Sequence, residues 1–248
     1  MRLDVFFTPT QVKPGDTVGR LVIIVDVLRA STTVATALGN GARTVLPLEG
    51  ADEVIVRSKE FARSQIILAG EQKMQPIAGF DLGNSPQDFT KEAVEGKTIL
   101  ITTTNGTRAL LGVQGARDIV IASYVNFTAV LAMMKVAASS NTDIAIICAG
   151  EEGGFTLEDA ACAGRYVRSI PKRADSVQVN DAASASVLIE KKYGDNIAKV
   201  FKESNHGKAL EEAGFGDDLA AAAEVDSYPV VPIYQDRSIT KLGPERAR

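Results

Sequence analysis

Three short apolar, β-branched runs, each ending in a polar turn that opens onto a helix-like stretch, constrain this chain more than any other feature. Residues 21–27 lead into Asp26-Val27-Leu28-Arg29-Ala30-Ser31-Thr32-Thr33. Residues 98–101 lead into Thr102-Thr103-Thr104-Asn105-Gly106-Thr107-Arg108. Residues 144–148 lead into Gly150-Glu151-Glu152-Gly153-Gly154-Phe155-Thr156-Leu157-Glu158-Asp159. Continuous apolar strands are typical of sheets buried on both faces. In an open α/β sheet, ligands bind beyond the carboxyl ends of the strands. The free N–H groups of helix starts favour anions there. Three such turns from one sheet would make a common floor for a phosphorylated ligand.

The rest of the chain extends the pattern. Strand signals recur at 3–7, 43–48, 66–69 and 118–122, and helix signals at 31–39, 51–63, 107–111, 128–139 and 157–170. The stretch after 181 is mostly helical, at 182–193, 197–203, 208–213 and 217–223, and closes on an extended tail at 230–234. Repeated strand–helix alternation with short connections predicts an α/β fold. The expected architecture is a three-layer α/β/α arrangement around a largely parallel sheet, which could be mixed. The helix-rich C-terminal third would cover one sheet face or cap it. The 248 residues are expected to form one domain, or two packed halves divided near 124–128.

Composition narrows the partners. There are 27 Lys and Arg against 31 Asp and Glu, a formal charge of −4, where nucleic-acid surfaces carry a basic excess. No nucleic-acid or membrane partner is expected: residues 21–28 are too short to span a bilayer and Asp26 interrupts them. The first twenty residues lack a signal-peptide apolar core. Cys148 and Cys162 sit among apolar or small residues, as reduced core thiols of a cytoplasmic protein do. With one His and two Cys, a tetrahedral Cys/His zinc site is out of reach.

Each polar cluster has a functional reading and a plainer one. Asp26 ends an apolar strand, where an unpaired carboxylate is costly; it reads as a metal ligand or a general acid/base. Arg29, with a fork suited to phosphate, reads as an anion clamp. Ser31 and Thr32 add hydroxyls. The plainer reading is a local Asp–Arg pair with a Ser/Thr helix cap. Thr103, Thr104, Asn105, Gly106, Thr107 and Arg108 read as an anion nest around an Asn-Gly turn, or simply as a capped helix. Thr156 and Asp159 have the spacing of a capping box. Glu151, Glu152, Glu158 and Asp159 also offer hard oxygen ligands for Mg²⁺. Glu71, after Ala69-Gly70 at a strand end, reads as a metal ligand or an exposed loop acid.

Some motifs mislead. Cys162 and Arg168 match the C-x₅-R spacing of cysteine phosphatases, but the span between them reads as helix, where no loop presents N–H groups to a thiolate. Gly96-Lys97-Thr98 resembles the end of a P-loop but precedes a strand instead of following one. Leu28 stands where an Asp-x-Asp phosphatase needs its second Asp. His206, in Ser204-Asn205-His206-Gly207, reads as a loop or cap residue.

Taken together, the clusters resemble the 2-phosphosulfolactate phosphatase family. The matching segments are 25–33, 69–71, 79–86, 103–108 and 148–150 with 157–160. Gly214-Phe215, Asp217-Asp218-Leu219 and Tyr228-Pro229-Val230-Val231-Pro232 add to the likeness, which covers nearly the whole chain. The resemblance implies Mg²⁺-dependent hydrolysis of (2R)-phospho-3-sulfolactate, a step of coenzyme M biosynthesis, to 3-sulfolactate and phosphate. On that reading Asp26, Glu71 and Asp159 hold or orient Mg²⁺. Asp26 and Arg29 are the catalytic pair. Ser31, Thr32, Thr103, Thr104, Asn105, Gly106, Thr107 and Arg108 bind the small phosphorylated anion. The protein could also pair as a homodimer. A second reading is a sensor that holds a phosphometabolite without turning it over. A third is a transferase or isomerase that releases no free phosphate.

Overall fold

The computed structural model describes residues 1–171 and 177–243, with the Arg108 side chain outside that description. Eleven strands form one sheet in the order β5-β4-β6-β3-β11-β10-β7-β2-β8-β1-β9. They are β1 (Arg2–Phe6), β2 (Leu21–Val25), β3 (Thr44–Pro47), β4 (Ile66–Gln72), β5 (Gln75–Pro76), β6 (Thr98–Thr102), β7 (Asp118–Ala122), β8 (Ile144–Cys148), β9 (Gln178–Val179), β10 (Pro232–Gln235) and β11 (Ser238–Lys241). The helices are α1 (Ala30–Gly39), α2 (Ala51–Ser58), α3 (Lys91–Val94), α4 (Gly106–Leu111), α5 (Phe127–Ser139), α6 (Leu157–Ser169), α7 (Asp181–Tyr193), α8 (Ile197–Glu203), α9 (Asn205–Glu212) and α10 (Gly216–Ala223).

The fold is the expected α/β type with a mixed, mostly parallel sheet. β4, β6 and β3 make one parallel block, and β7, β2, β8, β1 and β9 make another. The antiparallel hairpin β10–β11 joins them, β11 pairing with β3 and β10 with β7. The sequence shows only an extended tail at 230–234, so this hairpin changes the picture: the last elements of the chain fill the middle of the sheet. β11 goes unseen because Ser238, Thr240 and Lys241 dilute its apolar signal.

Alternation along β2 shows both faces buried. Leu21, Ile23 and Val25 pack with Val130, Met134, Tyr166 and Phe201 from α5, α6 and α8. Val22 and Ile24 pack with Val34, Leu38, Ala109 and Leu110 from α1 and α4. A strand with no solvent face has no reason to alternate polar and apolar residues. Helix α1 is nearly all buried and stops at Asn40-Gly41, where Gly41 takes φ +94°. The helix expected at 51–63 stops at Ser58, just before the turns at 59–61.

Four strands separate β6 from β2 in the sheet order, yet the turn after β6 touches the turn after β2. A Cβ built on Gly106 would lie 2.7 Å from both Ala30 Cβ and Asp26 Oδ2. Helix α4 packs against β2, so the turn after β6 is carried to the turn after β2. Only glycine permits this approach, and it brings the strand-end turns together.

Candidate active site

Asp26 leaves β2 at the point where the chain turns into α1. Its backbone N–H donates to Ser31 Oγ at 2.9 Å, and Ala30 N–H donates to its Oδ1 at 3.3 Å. Burial lifts its pKa to about 6; the charges of Glu71 and Glu158 add to the rise, while His206 and the Ala30 N–H oppose it. Asp26 is thus a carboxylate poised near neutrality, as groups with reacting partners often are.

The hydroxyls that follow are committed to the backbone. Ser31 accepts from Asp26, and Thr32 Oγ1 bonds the Val27 carbonyl and Ser123 Oγ, both at 2.7 Å. No side chain caps α1; Arg29 occupies the N-cap position. The Ser/Thr cap is therefore corrected: these hydroxyls brace the turn that presents Asp26.

Arg29 reaches the site but has protein partners. Its Nη1 lies 2.7 Å from Asp218 Oδ2 in an ion pair whose side chains are both 3% exposed. Nη2 donates to the Met74 carbonyl at 2.9 Å, and the guanidinium sits 4.3 Å over the Phe215 ring. Ser85 Oγ bonds the other Asp218 oxygen at 2.5 Å. Arg29 ties α10, the β4–β5 tip and the Asp26 turn into one unit.

Glu71 sits in the last turn-ward part of β4, beside Gly70, whose φ of +147° brings it against Thr102 of β6. Glu71 Oε1 accepts from Thr104 N–H at 2.7 Å and Oε2 from Met74 N–H at 2.9 Å. The anion that the turn after β6 holds is thus the chain's own carboxylate. The Thr103 and Thr107 hydroxyls bond each other and each other's N–H at 3.2 Å. Asn105 Oδ1 accepts from Glu152 N–H at 3.2 Å, linking this turn to the one after β8. The Arg108 side chain lies outside the described residues.

Asp159 departs furthest from its expected place. The Thr156–Asp159 capping box does not form, since Thr156 makes no side-chain cap bond. Instead Asp159 Oδ1 accepts from Val27 N–H at 2.8 Å, and Oδ2 from Thr156 Oγ1 at 2.9 Å and Gly150 N–H at 3.2 Å. Burial, then Glu158 and Asp26, push its pKa well above the carboxylate range. It pins the turns after β2 and β8 together.

Asp26, Leu28, Arg29, Glu71, Lys73, Met74, Asn84, Thr103, Thr104, Asn105, Glu151, Glu152 and His206 line one cavity of about 280 Å³. Of the expected residues, Asp26, Arg29, Glu71, Thr103, Thr104 and Asn105 face it. Ser31, Gly106 and Thr107 border a smaller, mostly apolar void beneath, which Asp26 and Thr103 also touch. Thr32 and Asp159 line neither. His206, expected as a loop or cap residue, lies in the first turn of α9 and faces the cavity, with Nδ1 3.2 Å from Glu158 Oε1. Burial pulls its pKa down, but Glu158, Glu151 and Asp26 outweigh that and raise it to about 9. The only sequence signal for His206 and Asp218 is their place in C-terminal segments far from the strand turns. Among the described residues no cluster of three or more His, Cys, Asp and Glu forms a ready metal cage.

The C-x₅-R pair is structural. Cys148 and Cys162 are both free and buried, Cys162 lies inside α6, and Arg168 Nε pairs with Glu190 at 2.7 Å. No described helix is long and apolar enough to cross a membrane.

A family model described as 2-phosphosulpholactate phosphatase matches residues 6–237. A Caldanaerobacter subterraneus subsp. tengcongensis protein named probable 2-phosphosulfolactate phosphatase is 38% identical over 232 residues, covering 94% of this chain and 95% of the relative. A Symbiobacterium thermophilum protein of the same name is 37% identical over 227 residues, covering 90% and 95%. One from Trichormus variabilis is 34% identical over 245 residues, covering 97% and 99%. The chain belongs to the 2-phosphosulfolactate phosphatase family.

Proposed function

We propose that this member of the family is a phosphoric monoester hydrolase that releases phosphate from 2-phosphosulfolactate, or a closely related small phosphorylated acid, with Mg²⁺ as cofactor. The observation that carries this reading is the charge of the cavity. Four carboxylates, Asp26, Glu71, Glu151 and Glu152, share it with Arg29, Lys73 and His206, and Arg29 is already paired with Asp218. Among the described residues the carboxylates of this site outnumber its cations, so added positive charge would favour entry of a substrate bearing phosphate, carboxylate and sulfonate. Mg²⁺ suits it, because this ion binds through one or two carboxylates and the substrate's phosphate while keeping several waters.

On this reading Asp26 and Glu71, which both line the cavity, would hold the ion. When bound, Mg²⁺ would neutralise phosphoryl charge and polarise water. The chain's own groups do the remaining work. Asn105 and the Thr103–Thr104 edge line the cavity and would face the phosphoryl group. Arg29, fixed by Asp218 and Met74, holds the Asp26 turn in place. Asp159 locks that turn to the one after β8. Lys73, exposed at the β4–β5 tip, offers a cation to the carboxylate or sulfonate. The buried free thiols support a reducing, cytoplasmic setting.

The test is phosphate release from (2R)-phospho-3-sulfolactate with Mg²⁺ and with EDTA. Release that requires the metal is expected. Tight binding with no release under either condition would instead make the protein a sensor.

A further inference from the structure

We propose that His206 is the general acid that protonates the leaving-group oxygen, and that Glu158 is the positioning residue that holds it. This inference rests on the phosphatase reading and deepens it. The departing group of a phosphorylated hydroxy acid is an alkoxide, a poor leaving group unless a proton or a cation meets it as the bond breaks.

His206 is the one histidine of the chain and lines the cavity with Asp26 and Glu71. Its Nδ1 is taken by Glu158 Oε1 at 3.2 Å. Among the described residues Nε2 has no protein partner, which leaves that nitrogen for a ligand. Glu158 is 1% exposed, and its Oε2 is buried without a hydrogen bond. A carboxylate so placed is costly to keep charged. A buried acid fixing one ring nitrogen so that the other faces the reactants is the arrangement that orients histidines in catalytic and metal sites.

Every carboxylate that raises the His206 pKa comes from a different strand-end turn or helix. Glu158 lies in α6, Glu151 in the turn after β8, and Asp26 after β2; together they raise the His206 pKa to about 9 against the effect of burial. The contact of Nδ1 with a buried carboxylate favours the protonated ring, and in that form Nε2 has a proton to give. Among the described cavity residues Lys73 is the other cation without a hydrogen-bond partner, and it lies exposed on a hairpin tip.

The step balances without a co-reactant beyond water. As water adds to phosphorus, the ester P–O bond breaks and its electron pair stays on the substrate oxygen. That oxygen takes the Nε2 proton. Water keeps one proton within hydrogen phosphate, and its other proton returns through solvent to the imidazole.

Because there is a single histidine, its titration can be followed in ¹⁵N-histidine-labelled protein by NMR without assignment. The expected result is a midpoint near 9, moved down by Glu158→Gln. His206→Gln should lower kcat for phosphosulfolactate on the order of 10²-fold or more and abolish the alkaline limb of its pH profile. The loss should shrink to a few-fold with 4-nitrophenyl phosphate, whose leaving group needs no proton. Equal losses on both esters, a retained alkaline limb, or a histidine neutral at pH 7 would each overturn the proposal. If wild type hydrolyses only phosphosulfolactate, the limb and the NMR titration decide. A wild-type protein that releases phosphate from neither ester would sink the phosphatase reading itself, while the NMR titration would still report on the Glu158–His206 pair.

Discussion

The turns after β2, β6 and β8 and the helices of the C-terminal third meet at one cavity, but they contribute different things. The turns bring groups that face the cavity: Asp26, Thr103, Thr104, Asn105, Glu151 and Glu152. The C-terminal third brings groups that hold or charge those: Asp218 on Arg29, Phe215 beneath it, and His206 beside Asp26. Most cavity-facing groups in this fold come from strand ends, whereas His206 and the Asp218 that holds Arg29 come from helices of the C-terminal third.

The largest effect should follow from the strand-end side. Asp26→Asn is expected to lower Mg²⁺-dependent phosphate release on the order of 10³-fold with circular dichroism unchanged. Its stability should move the other way. Burial raises the Asp26 pKa to about 6 in the folded chain, against its ordinary value of 3.8. The stability it contributes is complete below 3.8 and is lost as pH rises through 6, because the unfolded chain gives up this proton first. In EDTA at pH 8, Asp26→Asn should therefore be more stable than wild type by up to about 3 kcal/mol, and equal to it near pH 3.5. A fully active variant would move the chemistry away from the turns and break the comparison.

The second effect tests the C-terminal side. Asp218→Asn leaves Arg29 buried without a counter-charge, and removing one member of a buried pair costs roughly 3–5 kcal/mol. Urea unfolding should show that loss. Arg29→Met combined with Asp218→Leu should recover much of the stability, but not the activity, because the Met74 carbonyl would lose the Arg29 donor and the β4–β5 tip its tether. If the double variant kept full activity, the Arg29–Asp218 unit would be a packing element only.

The same contrast explains what could be read from the sequence. The strand-end turns are legible because a buried parallel strand, a polar turn and a helix start are contiguous, and each imposes its own residue types. Asp26 and Glu71 stood out for that reason. Hydrogen-bond direction did not. Ser31, Thr32 and Asp159 have the composition of caps, yet they brace backbone N–H and C=O groups across turns, a choice set by the approach of β2 to β8. His206 and Asp218 were illegible as site residues because their partners, Glu158 and Arg29, are 48 and 189 positions away. The β10–β11 hairpin was half-legible: a tail flanked by prolines looks extended, but its insertion between β3 and β7 is a tertiary fact.

A smaller effect probes the joint between the turns. Gly106→Ala puts a methyl 2.7 Å from Asp26 Oδ2 and Ala30 Cβ. Overpacking of this kind costs about 1–3 kcal/mol, and since the clash lands on the Asp26 carboxylate, kcat should fall with it. A variant that loses stability but keeps kcat would show that the two turns can separate without harm.

The smallest effect belongs to the region whose charges are plainest in the sequence. Arg57, in the last turn of α2, and Glu60, in the turn just after it, pair at 2.7 Å with both side chains about half exposed. Water screens such a pair, and holding two long side chains together costs entropy, so exposed pairs yield at most about 1 kcal/mol. Glu60→Gln should shift the urea midpoint by less than about 0.5 kcal/mol equivalent and leave kcat unchanged. Against it stands the Arg29–Asp218 pair, with the same 2.7 Å separation but 3% exposure on each side. Equal distances with unequal costs would show that burial, and not charge pattern, decides which ion pairs this fold depends on; a Glu60→Gln loss as large as that of Asp218→Asn would refute it.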